Sequence, residues 1–518
     1  MTSSIRLLQF IASATFLACN TTGSAWAGDN APALPSATKI EEKIPEAKVW
    51  TSKHQISLDG KTISYTANAG TMLMKNDKDE AIALFGYTAY VRDVKDDDQR
   101  VRPLLFAYNG GPGSSSAWLH MGIMGPKRTV VKDLEANTRG PFLTVENQYT
   151  ILDQADIVMI DPVGTGFSRP VGKGEGKQFW GVDQDIKSVS DFIVKYVSQN
   201  KRWSSPKFIL GESYGGMRTA GLAYELLSKK NLALNGIILV SPYLDYGSGA
   251  TESQLDSAYV NFLSTYAATA WYHHALAERP AELQPFLREV EAFARDVYAP
   301  VLFKGARASA EERQRALLGL ARYTGISAQY WERANLRLDE GRFVQELKRA
   351  TGRVVARIDS RYQGEILSPL AESMKHDAYF SAIAPAFVAS FNDYYRRELK
   401  VDAEREYAFS GDVGRDWDAR HAQPDVGDKV TQPNTSVDLA WSMKLNPKMK
   451  VLIATGYYDL ACPYGTVEYV LDHLDLTPEL RNNIGVDYYE AGHMMYVHPA
   501  SMIKFKRALA GFVEANSR

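Results

Sequence analysis

Residues 211–215 read Gly-Glu-Ser-Tyr-Gly, between the apolar run Lys-Phe-Ile-Leu at 207–210 and residues 217–229, whose apolar positions fall at helical spacing. This pattern predicts a strand, a sharp turn and a helix, with Ser213 exposed at the apex. Small residues must flank such a turn, and Gly211 and Gly215 supply them. Alone, a motif of this size is a weak signal, since a chain this long and Gly-rich can contain it by chance. The rest of the sequence has to agree with it.

It does so from Leu104 onward. Short apolar runs at Leu104–Tyr108, Ile157–Ile160, Phe208–Leu210, Ile237–Val240, Val451–Ala454 and Val486–Tyr489 alternate with amphipathic stretches at 183–199, 215–229, 466–474 and 500–515. Runs of this kind suit buried strands of a mostly parallel sheet with helices on both faces, so the expected class is α/β. Residues 55–92 read differently, as alternating strands with Asp59-Gly60 as a hairpin turn, which predicts an antiparallel start. Residues 245–430 interrupt the alternation. They are rich in Arg, Glu, Ala and Leu, and 280–298, 309–323 and 340–356 read as helices. The expected organisation is a sheet domain in two parts, 49–244 and 431–518, with a largely helical insertion or cap at 245–430.

The N-terminus reads as an export signal. Arg6 precedes an apolar stretch from Leu7 to about Ala18, and Ala25-Trp26-Ala27 forms a cleavage site ahead of Gly28. Residues 1–27 are therefore expected to be removed, leaving 28–48 as a Pro/Ala/Lys/Glu-rich flexible lead. The expected location is periplasmic or secreted. Lipid anchoring through Cys19 ranks second, because the residues before it fit a lipoprotein site poorly. No later stretch is apolar for long enough to span a bilayer, so no membrane association is expected after signal removal. The formal charge of −2 over 518 residues gives no sign of a nucleic-acid partner. Cys19 and Cys462 are the only cysteines, and the nine histidines lack zinc spacing, so neither metal nor cofactor is expected.

Asp459 follows the run 451–454, and His493 follows 486–489. Each belongs at the carboxyl end of a strand, as Ser213 does, and the order Ser…Asp…His is that of a nucleophile, an orienting acid and a base on such a sheet. A serine hydroxyl needs that base to become a nucleophile. A tetrahedral intermediate also needs two N–H donors. The amide of Tyr214 is one candidate. The Gly-rich run Asn-Gly-Gly-Pro-Gly-Ser-Ser-Ser at 109–116 supplies the other, assigned to Gly111.

Taken together, this Gly-rich run, Asp-Pro-Val-Gly-Thr-Gly-Phe-Ser at 161–168, Gly-Glu-Ser-Tyr-Gly-Gly at 211–216 and Gly-His-Met at 492–494 resemble the serine carboxypeptidase family. The resemblance runs over about residues 60–515 and is strongest to bacterial members, with Ser114 where many eukaryotic ones have cysteine. It implies an α/β-hydrolase fold with a helical insertion, and removal of C-terminal residues from peptides through an acyl-enzyme. It makes Ser213, Asp459 and His493 the triad and Gly111 and Tyr214 the oxyanion hole. It assigns the substrate's terminal carboxylate to Asn109 and Glu212. Two features depart from the family: Ala107 stands where a Trp is usual, and Met121–Pro126 holds no acid where a second Glu would pair with Glu212. The departure predicts weaker carboxylate recognition, or a substitute group such as His120, and a reduced preference for acidic pH. Cys462, Tyr108 and Trp118 are further candidates for lining the site.

The function expected from the sequence is an exported serine carboxypeptidase acting on peptide or protein C-termini. An esterase, amidase or acyltransferase on the same triad is the alternative. A non-catalytic peptide-binding protein ranks third.

Overall fold

The computed structural model describes residues 44–517. The expected signal segment 1–27, with Cys19, and the lead up to residue 43 lie outside them.

A ten-stranded sheet organises the chain. Across it the strands run 49–58, 61–75, 81–92, 156–161, 104–108, 207–212, 236–240, 450–456 and 484–489, with 169–170 paired to 81–92. The first three are antiparallel, and 81–92 is antiparallel to 156–161. From 156–161 onward every pairing is parallel. The hairpin expected at Asp59-Gly60 closes the pair Leu58 and Lys61, with positive φ at both turn residues.

The central strands are buried along their whole length because both faces are covered. Alternation then sorts their side chains. Leu104, Phe106, Ile209 and Ile237 join a core with Val189 and Phe192 of helix Val182–Gln199 and Leu226 of helix Tyr214–Lys230. Leu105, Phe208 and Ile238 join an opposite core with Phe505 and Leu509 of helix Pro499–Ala515.

The chain leaves the sheet after Val240 and re-enters at Lys450 on the neighbouring parallel strand. Helices Asp256–Tyr272, Leu283–Phe293 and Ala310–Thr324 in between share a third core around Leu263, Val290, Leu320, Trp331 and Phe343. Helix Asp256–Tyr272 is buried on nearly every side, so it carries no single apolar stripe to read. Helix Ala378–Arg397 turns back toward the sheet domain, where its Phe380 and Phe387 pack on Trp118.

One expected helix is shorter than the sequence suggested. The stretch 340–356 is α-helical only over Glu340–Glu346, followed by a single 3-10 turn at Arg349–Thr351. Left-handed Gly352 (φ 72°) then redirects the backbone into the short strand Arg353–Val355, paired with Gln363–Glu365. Glycine followed by β-branched Val354 and Val355 favours that break over a continuing helix.

Candidate active site

Ser213 lies between strand Lys207–Glu212 and helix Tyr214–Lys230, at φ 63° and ψ −129°. A non-glycine residue holds such a conformation only when its surroundings fix it. Here the Ser213 N–H donates to Val240 O at 2.9 Å, and its carbonyl accepts from Gly216 N at 2.8 Å and Tyr243 N at 3.1 Å. The turn is tight enough that a Cβ on Gly211 would lie 2.2 Å from Gly215 O. Only glycine fits there.

His493 follows strand Ile484–Tyr489 and Asp459 follows strand Lys450–Gly456, so parallel pairing of the two strands brings their ends together. His493 Nδ1 lies 2.8 Å from Asp459 Oδ2. The other carboxylate oxygen accepts the Ala461 and Cys462 amides at 2.8 and 2.9 Å. The histidine backbone is pinned as well: its N–H donates to Ile358 O at 2.8 Å, and its carbonyl accepts from Ser241 Oγ at 2.8 Å. Burial opposes protonation of the ring, but the Asp459 charge and hydrogen bond outweigh it and raise the pKa. With Nδ1–H donated to Asp459, the basic lone pair is on Nε2.

The Gly-rich loop abuts this turn. A Cβ on Gly110 would lie 2.6 Å from the Tyr214 and Gly215 nitrogens. The Tyr214 amide opens its helix, where no intrahelical carbonyl can take it, and the helix dipole favours negative charge there. Two buried charges hold the loop, and nothing in the sequence singled out either for this task. Asp161 accepts from Ser116 N at 2.9 Å, Ser116 Oγ at 2.8 Å and Tyr407 OH at 2.8 Å. Arg218 Nε donates to Asp185 at 2.7 Å while its Nη1 donates to Asn109 O at 2.9 Å.

Glu212 and Asn109 are both buried and adjoin one another. Asn109 Oδ1 accepts the Leu119 amide at 3.0 Å, which fixes the side-chain amide. Tyr496 OH donates to Glu212 Oε2 at 2.8 Å. Burial pushes the Glu212 carboxyl up to about 7, against the lowering influence of His493, Tyr496 and Asn109. Burial thus raises the proton affinity that a neighbouring carboxyl was expected to raise. His120 does not fit the part of substitute group. Its Nε2 is bonded to Tyr90 OH, and the ring packs among Phe391, Tyr394 and Tyr395, where burial lowers its pKa to about 3. The other candidates divide. Cys462 is buried beside His493. Trp118 joins the packing of the insertion, and Tyr108 OH bonds Thr219 within the core.

Asp459, Cys462 and His493 bring three metal-ligand types within 4.8 Å, the only such trio among the described residues. The Asp459 carboxylate is already committed, since it takes two amides and the imidazole. The trio fits a hydrogen-bonded relay better than a metal centre.

A mostly parallel sheet flanked by helices, with a serine at a strand-to-helix elbow, defines an α/β-hydrolase. Residues 62–284 match the family model described as serine carboxypeptidase. Serine carboxypeptidase-like 10 of Arabidopsis thaliana is 30% identical over 177 residues, 32% of this chain and 37% of the relative. Serine carboxypeptidase-like 36 of the same plant is 26% identical over 242 residues, 43% and 47% of the two chains. The chain thus spans less than half the length of these curated relatives. Among solved structures, a proline iminopeptidase from Mycobacterium smegmatis aligns over 90% of this chain and 99% of its own, at 12% identity and a TM-score of 0.34. Asp459 and His493 both lie beyond the family-matched residues.

Proposed function

We propose that this protein is a serine carboxypeptidase that releases C-terminal residues from peptides. The observation that carries the reading is the placement of buried Glu212, with its raised proton affinity, immediately before Ser213 and beside Asn109. A carboxypeptidase has a use for a protonated carboxyl there, because the neutral acid can donate to the substrate's terminal carboxylate, with the Asn109 amide as a second donor.

In this reading His493 Nε2 takes the proton from Ser213 Oγ as the oxygen attacks the scissile carbonyl carbon. The oxyanion is met by the Gly111 and Tyr214 amides. Collapse breaks the C–N bond, and the His493 proton goes to the departing amine, which leaves as the free C-terminal amino acid. Water then attacks the Ser213 ester, with His493 again as base, and regenerates the serine. Asp459 holds the imidazole tautomer throughout. The insertion 245–430 acts as a cap that shapes the side-chain pockets. We also propose export, on the charged, apolar and Ala-Trp-Ala segments of residues 1–27.

The test uses an N-blocked dipeptide as free acid and as C-terminal amide, scanned from about pH 4 to 8 across the range of carboxyl and imidazole titration. Ser213→Ala serves as the control. The expected result is Ser213-dependent release of the amino acid, with the acid preferred over the amide. Cleavage of simple esters with silence on peptides would replace the reading with an esterase or acyltransferase.

A further inference from the structure

No acid stands between His120 and Pro126, and residues His120–Met124 are all buried. The partner of Glu212 comes instead from the turn that follows His493. Tyr496 belongs to the short helical turn Met495–Val497, and its hydroxyl is 2.8 Å from Glu212 Oε2. Its ring lies so close to Gly122 that a Cβ there would sit 2.4 Å from Tyr496 Cδ2 and Cε2. Gly122 and Tyr496 are therefore complementary: the missing side chain at one makes room for the ring of the other. The contact fixes the ring from one side, and the hydroxyl then has one carboxyl to meet.

We infer that Tyr496 is a positioning residue for recognition of the substrate's terminal carboxylate, donating to Glu212 Oε2 and so directing the acid proton of Glu212 to Oε1. An acid whose proton moves between two oxygens offers a substrate either a donor or an acceptor. A phenol that donates to one oxygen removes the ambiguity, because the same oxygen cannot readily carry a proton toward that donor. Oε1–H is then the donor left for the ligand. This inference rests on the carboxypeptidase reading.

The ionisable groups that act on Glu212 are His493 and Asp459 on the catalytic side and Tyr496 behind. The Tyr379 phenol of the insertion helix Ala378–Arg397 is also close enough to feel its charge. The Tyr496 hydrogen bond favours the ionised form of Glu212 and the His493 charge does the same, while burial and Asp459 oppose it. Removing the Tyr496 hydroxyl should therefore move the Glu212 titration upward. Weakening a packing contact alone would not.

The experiment measures KM and kcat for the acid and the amide of one N-blocked dipeptide across pH, in the wild type and in Tyr496→Phe. The phenylalanine ring keeps the contact with Gly122. The expected result is a fall of about 5–20-fold in the acid-over-amide preference, carried mainly by KM, the size of one lost hydrogen bond to a carboxyl. The midpoint of the acid substrate's pH limb should move up. In a Glu212→Gln background, which has no acid proton to direct, Tyr496→Phe should move no pH limb. A ring-fluorinated tyrosine at 496 gives a stronger donor on an intact scaffold, and should move the midpoint down. Acid and amide losing equally, or a midpoint that stays in place with both probes, would overturn the inference while leaving the carboxypeptidase reading intact. A wild type without acid preference would overturn both.

Discussion

Asp459 Oδ2 sits 2.8 Å from His493 Nδ1, and the same carboxylate is anchored through its other oxygen by the Ala461 and Cys462 amides. The aspartate therefore cannot rotate away from the imidazole without breaking two backbone bonds. It selects the tautomer that leaves Nε2 basic. Asp459→Asn would present an amide in its place and favour the wrong tautomer. The expected loss in kcat is roughly ten-thousand-fold, as in serine enzymes with this relay. Single-turnover kinetics on an activated ester would check it, with KM little altered.

Burial pushes Glu212 up to about 7, so below that pH it holds a proton, which under the proposed function donates to a terminal carboxylate. As pH rises through about 7 the group ionises, and two like charges would then meet. We expect kcat/KM for a peptide acid to fall along that limb, while the amide analogue lacks it. Glu212→Gln keeps a neutral donor at all pH and should flatten the limb.

Arg218 couples the elbow helix to the Gly-rich loop, through Asp185 at 2.7 Å and the Asn109 carbonyl at 2.9 Å. Both partners of the ion pair are almost wholly buried. Arg218→Met would leave the Asp185 charge without a partner and cost about 3–5 kcal/mol of stability. Urea unfolding should show this, and replacing Asp185 with Leu in the same chain should recover part of it.

Asp161 is the common acceptor for Ser116 N, Ser116 Oγ and Tyr407 OH. Asp161→Ala strands these buried donors and should cost about 2–4 kcal/mol. Because Ser116 ends the loop that carries Gly111, kcat should fall too. Thermal unfolding and ester turnover on the same variant would measure both effects.

His421 lies 2.8 Å from both Asp183 and Asp438. Burial alone would lower its pKa, but the two carboxylates win and raise it to about 9. A histidine with a raised folded-state pKa contributes stability that is complete below about pH 6.5 and is lost as pH rises through about 9. The loss should be about 2–3 kcal/mol between pH 6 and 9.5. His421→Gln should remove that slope in urea unfolding curves.

The legible parts of this protein are those encoded locally. Strand runs such as Leu104–Tyr108 and Ile237–Val240, the hairpin at Asp59-Gly60 and the elbow at Ser213 all announce themselves within a few residues, because each is a matter of apolar spacing or of a turn that only small residues permit. Helix Asp256–Tyr272 did not, since burial on nearly all sides erases its stripe, and the 340–356 stretch misled because charge and leucine content say little about where Gly352 breaks a helix. Ser213, Asp459 and His493 could be put forward as candidates from their position relative to strand ends. Which side chains would meet Glu212 could not. Tyr496 reaches it from 284 residues away, and Arg218 reaches the Asn109 carbonyl from 109. The central strands, the elbow and the order of the candidate catalytic residues can be read along the chain, because local backbone preferences and periodic burial are written there. The groups that surround the buried carboxyl come together only on folding, because a hydrogen bond across a folded core depends on distances that no local pattern contains.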